Sequence, residues 1–332
     1  MARDGAKVLV ADGTYTREIG GDHTENGFSL TNGTYLASIS GDPAKCILRS
    51  TVRAVWGNFN DRCLKVNHPQ AFVTGLTFAD GSLEQDWSGA CVNIGAFGGT
   101  VSNCVMRGGR TTNWGSTGAA AYVGALGLMT HCVISNCNAC SHARQDNHSV
   151  LNVRGRVENC LLTKNGSKDS HNIVYVESGG QLLNCTIVDS TCVTNRFNTE
   201  DNRWHTDQCG VRAASGSLVK NCAIFGVTRD EEVEVEGRVI APWTGTAASF
   251  VNCATDGASA INDTCIIIDK SAFIDYDNGL YTPKRGGVLV NAGAEVVLSS
   301  ATDLAEGERI LGSRIDIGCY EGALMGSAVI LR

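Results

Sequence analysis

Six short segments of this chain share one pattern, an apolar residue, a variable residue, an asparagine or histidine, and then a cysteine. They are VSNC ending at Cys104, MTHC at Cys132, VENC at Cys160, LLNC at Cys185, VKNC at Cys222 and FVNC at Cys253, spaced 28, 28, 25, 37 and 31 residues apart. About a dozen residues before most of them stands an apolar-x-apolar triplet: Val92-Asn93-Ile94, Ala121-Tyr122-Val123, Leu151-Asn152-Val153, Val174-Tyr175-Val176 and Val211-Arg212-Ala213. Leu64-Lys65-Val66 and Leu76 extend both series one repeat earlier, each by 28 residues. Self-similarity at this period means stacked units that bury their apolar faces on one another. The repeat lacks helical periodicity and shows period-two alternation broken by Gly, Asn and Ser, so each unit is expected to be a coil of two short strands. The expected fold is an all-β parallel β-helix of roughly 8–10 coils, a single domain with N-terminal coils over 1–62, regular coils over 63–254 and closing coils over 255–332.

In VENCLL this fold points Val157, Cys160 and Leu162 inward and leaves Asn159 at a bend. Cys104, Cys132, Cys160, Cys185 and Cys222 then form an interior column of unpaired, shielded thiols, because a thiol behaves as a small polarizable hydrophobe. The asparagines form a column at the turn, where they tolerate unusual backbone angles and can hydrogen-bond up and down the stack.

The 332 residues include 43% hydrophobic residues, 39 glycines and only four prolines, enough for a sizeable core in turn-rich β structure. No run of 18 apolar residues is present, so no membrane span is expected. A net charge of −7 argues against nucleic acid as a partner. The 15 cysteines are an odd number, six of them in the repeat, so free thiols and a reducing setting are expected rather than a disulfide framework. Cys192 and Cys209 flank a long loop that they could close. Cys137-x-x-Cys140 with His142 offers a zinc set without its fourth ligand, and two loop thiols beside a solvated histidine are the favoured reading. No metal site is assigned. Calcium could be bound by the acidic run from Asp230 to Glu236, which reads better as a solvated face.

The two ends of the chain carry a family resemblance. GAKVLVADGTYTREI at 5–19 resembles the opening strand of bacterial pectate-lyase-like right-handed β-helix proteins. Phe273-x-Asp275-x-x-Asn278-Gly279-x-Tyr281, Asn291-Ala292-Gly293, Asp303-Leu304, Arg309-Ile310 and Asp316-Ile317-Gly318-Cys319-Tyr320-Glu321 resemble the closing segment of the "choice-of-anchor" group of secreted β-helices. The resemblance implies a right-handed helix, long loops on one side, and an extracellular or cell-surface location. The family's signal peptide and capping helix have no counterpart at MARDG, which reads as a trimmed start.

By the same resemblance, extended saccharides are expected along the outside of the first strand of each coil, beneath the loops. Alternation then places Lys65, Asn93, Tyr122, Asn152, Tyr175 and Arg212 in one outward column. Asn67, Gly95, Gly124, Arg154, Glu177 and Ala214 follow two residues later. The loops at 107–119, 135–149, 163–172 and 188–209 hold His142, His148, His171 and His205, and RFNTEDNRWHTDQ at 196–208 adds Arg203 and Trp204. Tyr122, Asn152, His142, His148, Arg203, Trp204 and His205 are the expected substrate contacts. Arg154, His171, Tyr175, Glu177 and Arg212 are the expected catalytic set. A lyase would abstract a proton with a base and neutralise the neighbouring carboxylate with an arginine or a calcium ion, and Arg154, Lys168, His171, Tyr175 and Arg212 could supply the protein's share of those roles. A hydrolase would need two carboxylates, with Glu177, Asp146, Asp169 and Asp207 on offer. The alternative is a non-catalytic adhesin or structural surface module, since no sequence pattern pairs these groups.

Overall fold

The computed structural model describes residues 4–17, 27–50, 61–83, 88–111, 116–140, 148–168, 172–193, 197–198, 203–204, 210–229 and 242–322. Nearly all regular structure is parallel strand, arranged so that each strand pairs with its equivalent in the coils before and after it. Sheet 1 has eight strands and contains the triplets, from Phe28–Leu30 through Val92–Ile94 and Asn172–Val176 to Trp243–Gly245. Sheet 2 has nine strands, including Phe72–Thr74, Gly99–Ser102, Arg156–Glu158 and Leu218–Lys220. Sheet 3 has 14 and runs partly in two rows, such as Val133–Ser135 followed by Asn138–Cys140. The chain winds from sheet 1 to sheet 2 to sheet 3 and back, making a right-handed parallel β-helix.

The coil is therefore richer than two strands. Segments at Arg110–Thr111, Asn138–Cys140 and Gly166–Lys168, expected as loop, form the second row of sheet 3. A second bend causes this, at Asp80, Gly108, Asn136, Lys164, Asp189 and Gly226, all with φ between 47° and 67°. Its mixed residue types hide it from a motif search, whereas the first bend is nearly always asparagine.

That first bend lies between sheets 2 and 3, where Asn103, His131, Asn159, Asn184, Asn221 and Asn252 all take φ between 47° and 54°. Asparagine is favoured there because its short amide lowers the cost of the left-handed conformation. The amides do not form the expected ladder, however. Asn221 Nδ2 donates to Asn184 Oδ1 at 3.3 Å, but the remaining bonds leave the stack. Asn159 Nδ2 donates to Thr302 O, Asn184 Nδ2 to Asp316 O, Asn221 Nδ2 to Ala294 O and Asn252 Nδ2 to Ala292 O, at 2.8 to 3.2 Å. His131 Nε2 meets Thr302 O at 3.0 Å. The C-terminal strap, residues 291–322, covers the turn and takes these partners.

Directly inside the turn stand Cys104, Cys132, Cys160, Cys185, Cys222 and Cys253, free and at most 1% exposed. Each thiol lies 3.2–3.5 Å from the carbonyl two residues earlier, across the bend. Cysteine thus fills a small apolar site while offering a weak donor to a carbonyl that the bend turns inward. Val157 and Leu162 are likewise fully buried. Burial shields these thiols, and Cys192 is disulfide-bonded to a partner outside the described residues. Cys137 is a core thiol, 1% exposed, and not the loop thiol expected from its spacing to Cys140. His142 lies outside the described residues.

The closing motifs hold the strap. Asp316 Oδ1 and Oδ2 accept from Asn291 N at 2.6 Å and Gly322 N at 2.7 Å. Asp303 Oδ1 accepts from Ala305 N and Gly307 N, and its Oδ2 from Glu321 N, all at 2.9 Å. Buried Arg309 reaches Glu321 Oε1 at 3.5 Å and donates to the Asp316 carbonyl at 3.3 Å. Phe273–Asp275 pairs antiparallel with Leu280–Pro283, and Tyr281 Oη docks that hairpin on Thr163 Oγ1 at 3.1 Å. The residues that resemble a family are thus bound up in architecture.

Candidate functional site

Sheet 1 sets six triplet centres in one unbroken register: Lys65, Asn93, Tyr122, Asn152, Tyr175 and Arg212. Their flanking residues, such as Leu151 and Val153, are buried at 0%, so the alternation read from sequence holds on this face. The neighbours in the column are one rung apart, about 4.8 Å.

Two groupings form along it. Arg154 Nε lies 2.6 Å from Glu177 Oε2, and its Nη1 is 3.5 Å from Tyr122 Oη. The Arg154 side chain is 55% exposed and that of Glu177 21%. The tyrosine hydroxyl and the Glu177 carboxylate raise the guanidinium's already high pKa. One rung further, the Arg212 guanidinium sits over the Tyr175 ring, 5.3 Å from its centroid. Arg154 and Glu177 belong to the turn between sheets 1 and 2, not to the sheet itself, so they border the face that Tyr122, Tyr175 and Arg212 occupy.

Other expected contacts fall elsewhere. Asn152 is 1% exposed and Asn93 6%, so neither offers its amide to a ligand. Asn93 Nδ2 donates to Ser88 O and Oγ at 2.9 and 2.8 Å, and Asn152 Nδ2 to Thr117 Oγ1 at 3.3 Å. Both tie the sheet to the strand-like run that precedes it, where Ser88 pairs with Thr117. His148 is 2% exposed with Nδ1 against the Ser116 carbonyl, and burial lowers its pKa. It is a structural histidine rather than a loop contact. Alternation alone cannot reveal this, because a buried outward residue has the same spacing as an exposed one.

His142, His171, His205, Asp146, Asp169, Asp207 and the acidic run from Asp230 to Glu236 lie outside the described residues. Arg203–Trp204 pairs antiparallel with Phe197–Asn198 as a small hairpin. Among the described residues, no cluster of three or more His, Cys, Asp or Glu side chains is placed to hold a metal. No helix among them is long and apolar enough to cross a membrane.

No family model matches the chain, and no curated protein matches it. Among solved structures, the crystal structure of pectate lyase Pel9A aligns over 97% of this chain and 89% of that one, with 12% identity and a TM-score of 0.45. The fold assignment rests on the strand registers themselves.

Proposed function

We propose that the outer face of sheet 1 binds an extended polysaccharide, with acidic sugars favoured over neutral ones. The observation that carries this reading is the in-register column of Tyr122, Tyr175 and Arg212 bordered by Arg154 and Glu177. Tyrosine faces suit the apolar face of a sugar ring, and guanidinium forks suit its carboxylate. Lys65, Arg154 and Arg212 set three cations against the single carboxylate of Glu177 in these two columns, on a protein whose net charge is −7. Contacts spread along successive rungs fit a polymer better than a compact metabolite. The disulfide at Cys192 suits an oxidising setting such as the cell exterior, where polysaccharides are met.

Cleavage on this face would follow lyase rather than hydrolase chemistry. Among the described residues of the two columns Glu177 has no second carboxylate across from it, and it is already paired with Arg154. Arg212 would neutralise a uronate carboxylate, and Tyr175 or a histidine of the adjoining loops would take the neighbouring proton. Without such turnover the same face serves an adhesin. The test is titration of purified protein with uronate-containing and neutral polysaccharides, followed by ultraviolet absorbance for unsaturated ends and by reducing-end assay. Tyr175→Ala and Arg212→Ala are each expected to weaken acidic-glycan binding about tenfold or more. Unchanged affinity and turnover in both variants, with the fold intact, would remove the site from this face.

A further inference from the structure

A second recess, of 570 Å³, lies between the outer face of sheet 2 and the C-terminal strap. That volume is within the range of about 300–1,000 Å³ usual for small-ligand sites. Its floor is the outward run Phe72, Thr100 and Leu128, set in register by successive strands, and Tyr35 stands one rung beyond Phe72, outside the lining. The Tyr35 and Phe72 rings stack with centroids 5.5 Å apart and planes inclined by 3°, and Lys7 Nζ lies 5.2 Å from the centroid of the Tyr35 ring. The aromatic ladder stops at Phe72. The next rung carries Thr100, too small to cover a phenyl ring, and the wall resumes with Leu128 one rung later. Two rungs span about 9.6 Å. A ring placed between two apolar groups needs about 3.5–4.0 Å on each side, so the gap over Thr100 is one ring thick.

The polar part of the lining is rich in hydroxyls and poor in charge. Ser102, Thr130, Ser300 and Thr302 supply hydroxyls, His131 an imidazole and Glu306 the carboxylate, and among the described residues no Lys or Arg lines the recess. The strap wall is fixed, because Thr302 O accepts from Asn159 Nδ2 at 3.2 Å and faces His131 Nε2 at 3.0 Å. Thr130 Oγ1 already meets His131 Nδ1 at 2.7 Å and Ser300 Oγ meets Thr302 Oγ1 at 2.8 Å, so a purely apolar ligand would leave chiefly the Ser102 hydroxyl without a partner, and an anionic one would face Glu306 with no Lys or Arg of the lining beside it. A molecule with one apolar face and a rim of hydroxyls satisfies both walls.

We propose that this recess is a second glycan site, taking a neutral sugar ring stacked on Phe72 over Thr100 with its hydroxyls toward Ser102, Thr130 and the strap. It is separate from the sheet 1 face and does not depend on the reading of that face. The test is isothermal titration at millimolar concentration with three neutral hexaoses, of β-1,4-linked glucose, mannose and xylose, and with hexagalacturonate. At least one neutral hexaose is expected to bind. Thr100→Phe extends the aromatic ladder into the gap without opening a cavity, and is expected to weaken that binding at least tenfold while leaving hexagalacturonate binding unchanged. Arg212→Ala is expected to do the reverse, so failure of one site is distinguishable from failure of the other. The proposal is overturned if none of the three neutral hexaoses binds, or if Thr100→Phe binds them as tightly as the parent chain.

Discussion

Three hydrogen bonds converge on the side chain of Asn221, to Ala294 O at 2.8 Å, from Ala294 N at 2.8 Å and to Asn184 Oδ1 at 3.3 Å, in a residue held at φ 54°. Alanine there loses the bonds, at about 1 kcal/mol each, and meets left-handed strain of about 1–2 kcal/mol. Asn221→Ala is therefore expected to cost about 4–5 kcal/mol in urea unfolding, and Asn221→Gly, which relieves the strain alone, about 3 kcal/mol. Asn103→Ala gives up one bond, to Gly41 O at 3.1 Å, and is expected to cost clearly less. The thiols one residue on make a complementary case. Burial pushes the pKa of Cys104 and Cys160 upward, which suppresses the reactive thiolate as well as hiding it. Mass-spectrometric readout of native alkylation is expected to find Cys104, Cys132, Cys160, Cys185 and Cys222 unmodified while half-buried Cys140 reacts. Rapid labelling of the five would contradict their interior placement.

The strap is the element whose stability depends most plainly on pH. Asp303, Asp316 and Glu321 surround the one guanidinium of Arg309, all of them at most 8% exposed. With all four ionised the cluster would be net negative, and burial raises the Glu321 pKa to about 8. An unfolded glutamate titrates near 4.3, so between about pH 4.3 and 8 the folded chain keeps a proton that the unfolded chain has released. The stabilisation is complete below about pH 4 and is lost as pH rises through 8, on the order of 2–4 kcal/mol in all. The Tm should fall as pH rises across this window, and Glu321→Gln should flatten the dependence. A Tm in Glu321→Gln that falls with pH as steeply as in the parent would contradict the assignment. Sequence made the repeat legible because stacking demands the same residue at the same place: Cys160 inside, Asn159 at the bend, Tyr175 outside. It did not reveal what covers the bend, since Asn159 and Thr302 are 143 residues apart and nothing local links them. The second bend escaped for another reason. Asp80, Gly108, Asn136 and Lys164 share a backbone angle without sharing a side chain.

At the scale of the whole molecule, the solenoid converts a local alternation into a surface with a fixed pitch. From Lys65 to Arg212 the outward column of sheet 1 crosses five rungs, about 24 Å, and each rung presents one central residue. Of the expected contacts on it, Tyr122, Tyr175 and Arg212 stay accessible, while Asn93 and Asn152 are drawn inward by Ser88 and Thr117. That leaves contacts distributed along the column rather than gathered at one point. A ligand that lies along the stack gains contacts with length until it spans the column, and gains little afterwards. The most direct measurement is therefore the affinity of galacturonate oligomers as a function of chain length, by isothermal titration. Affinity should rise steadily from the dimer and level off once the oligomer reaches about 24 Å. A dimer that binds as tightly as the longest oligomer, or a series in which no length binds, would contradict the groove.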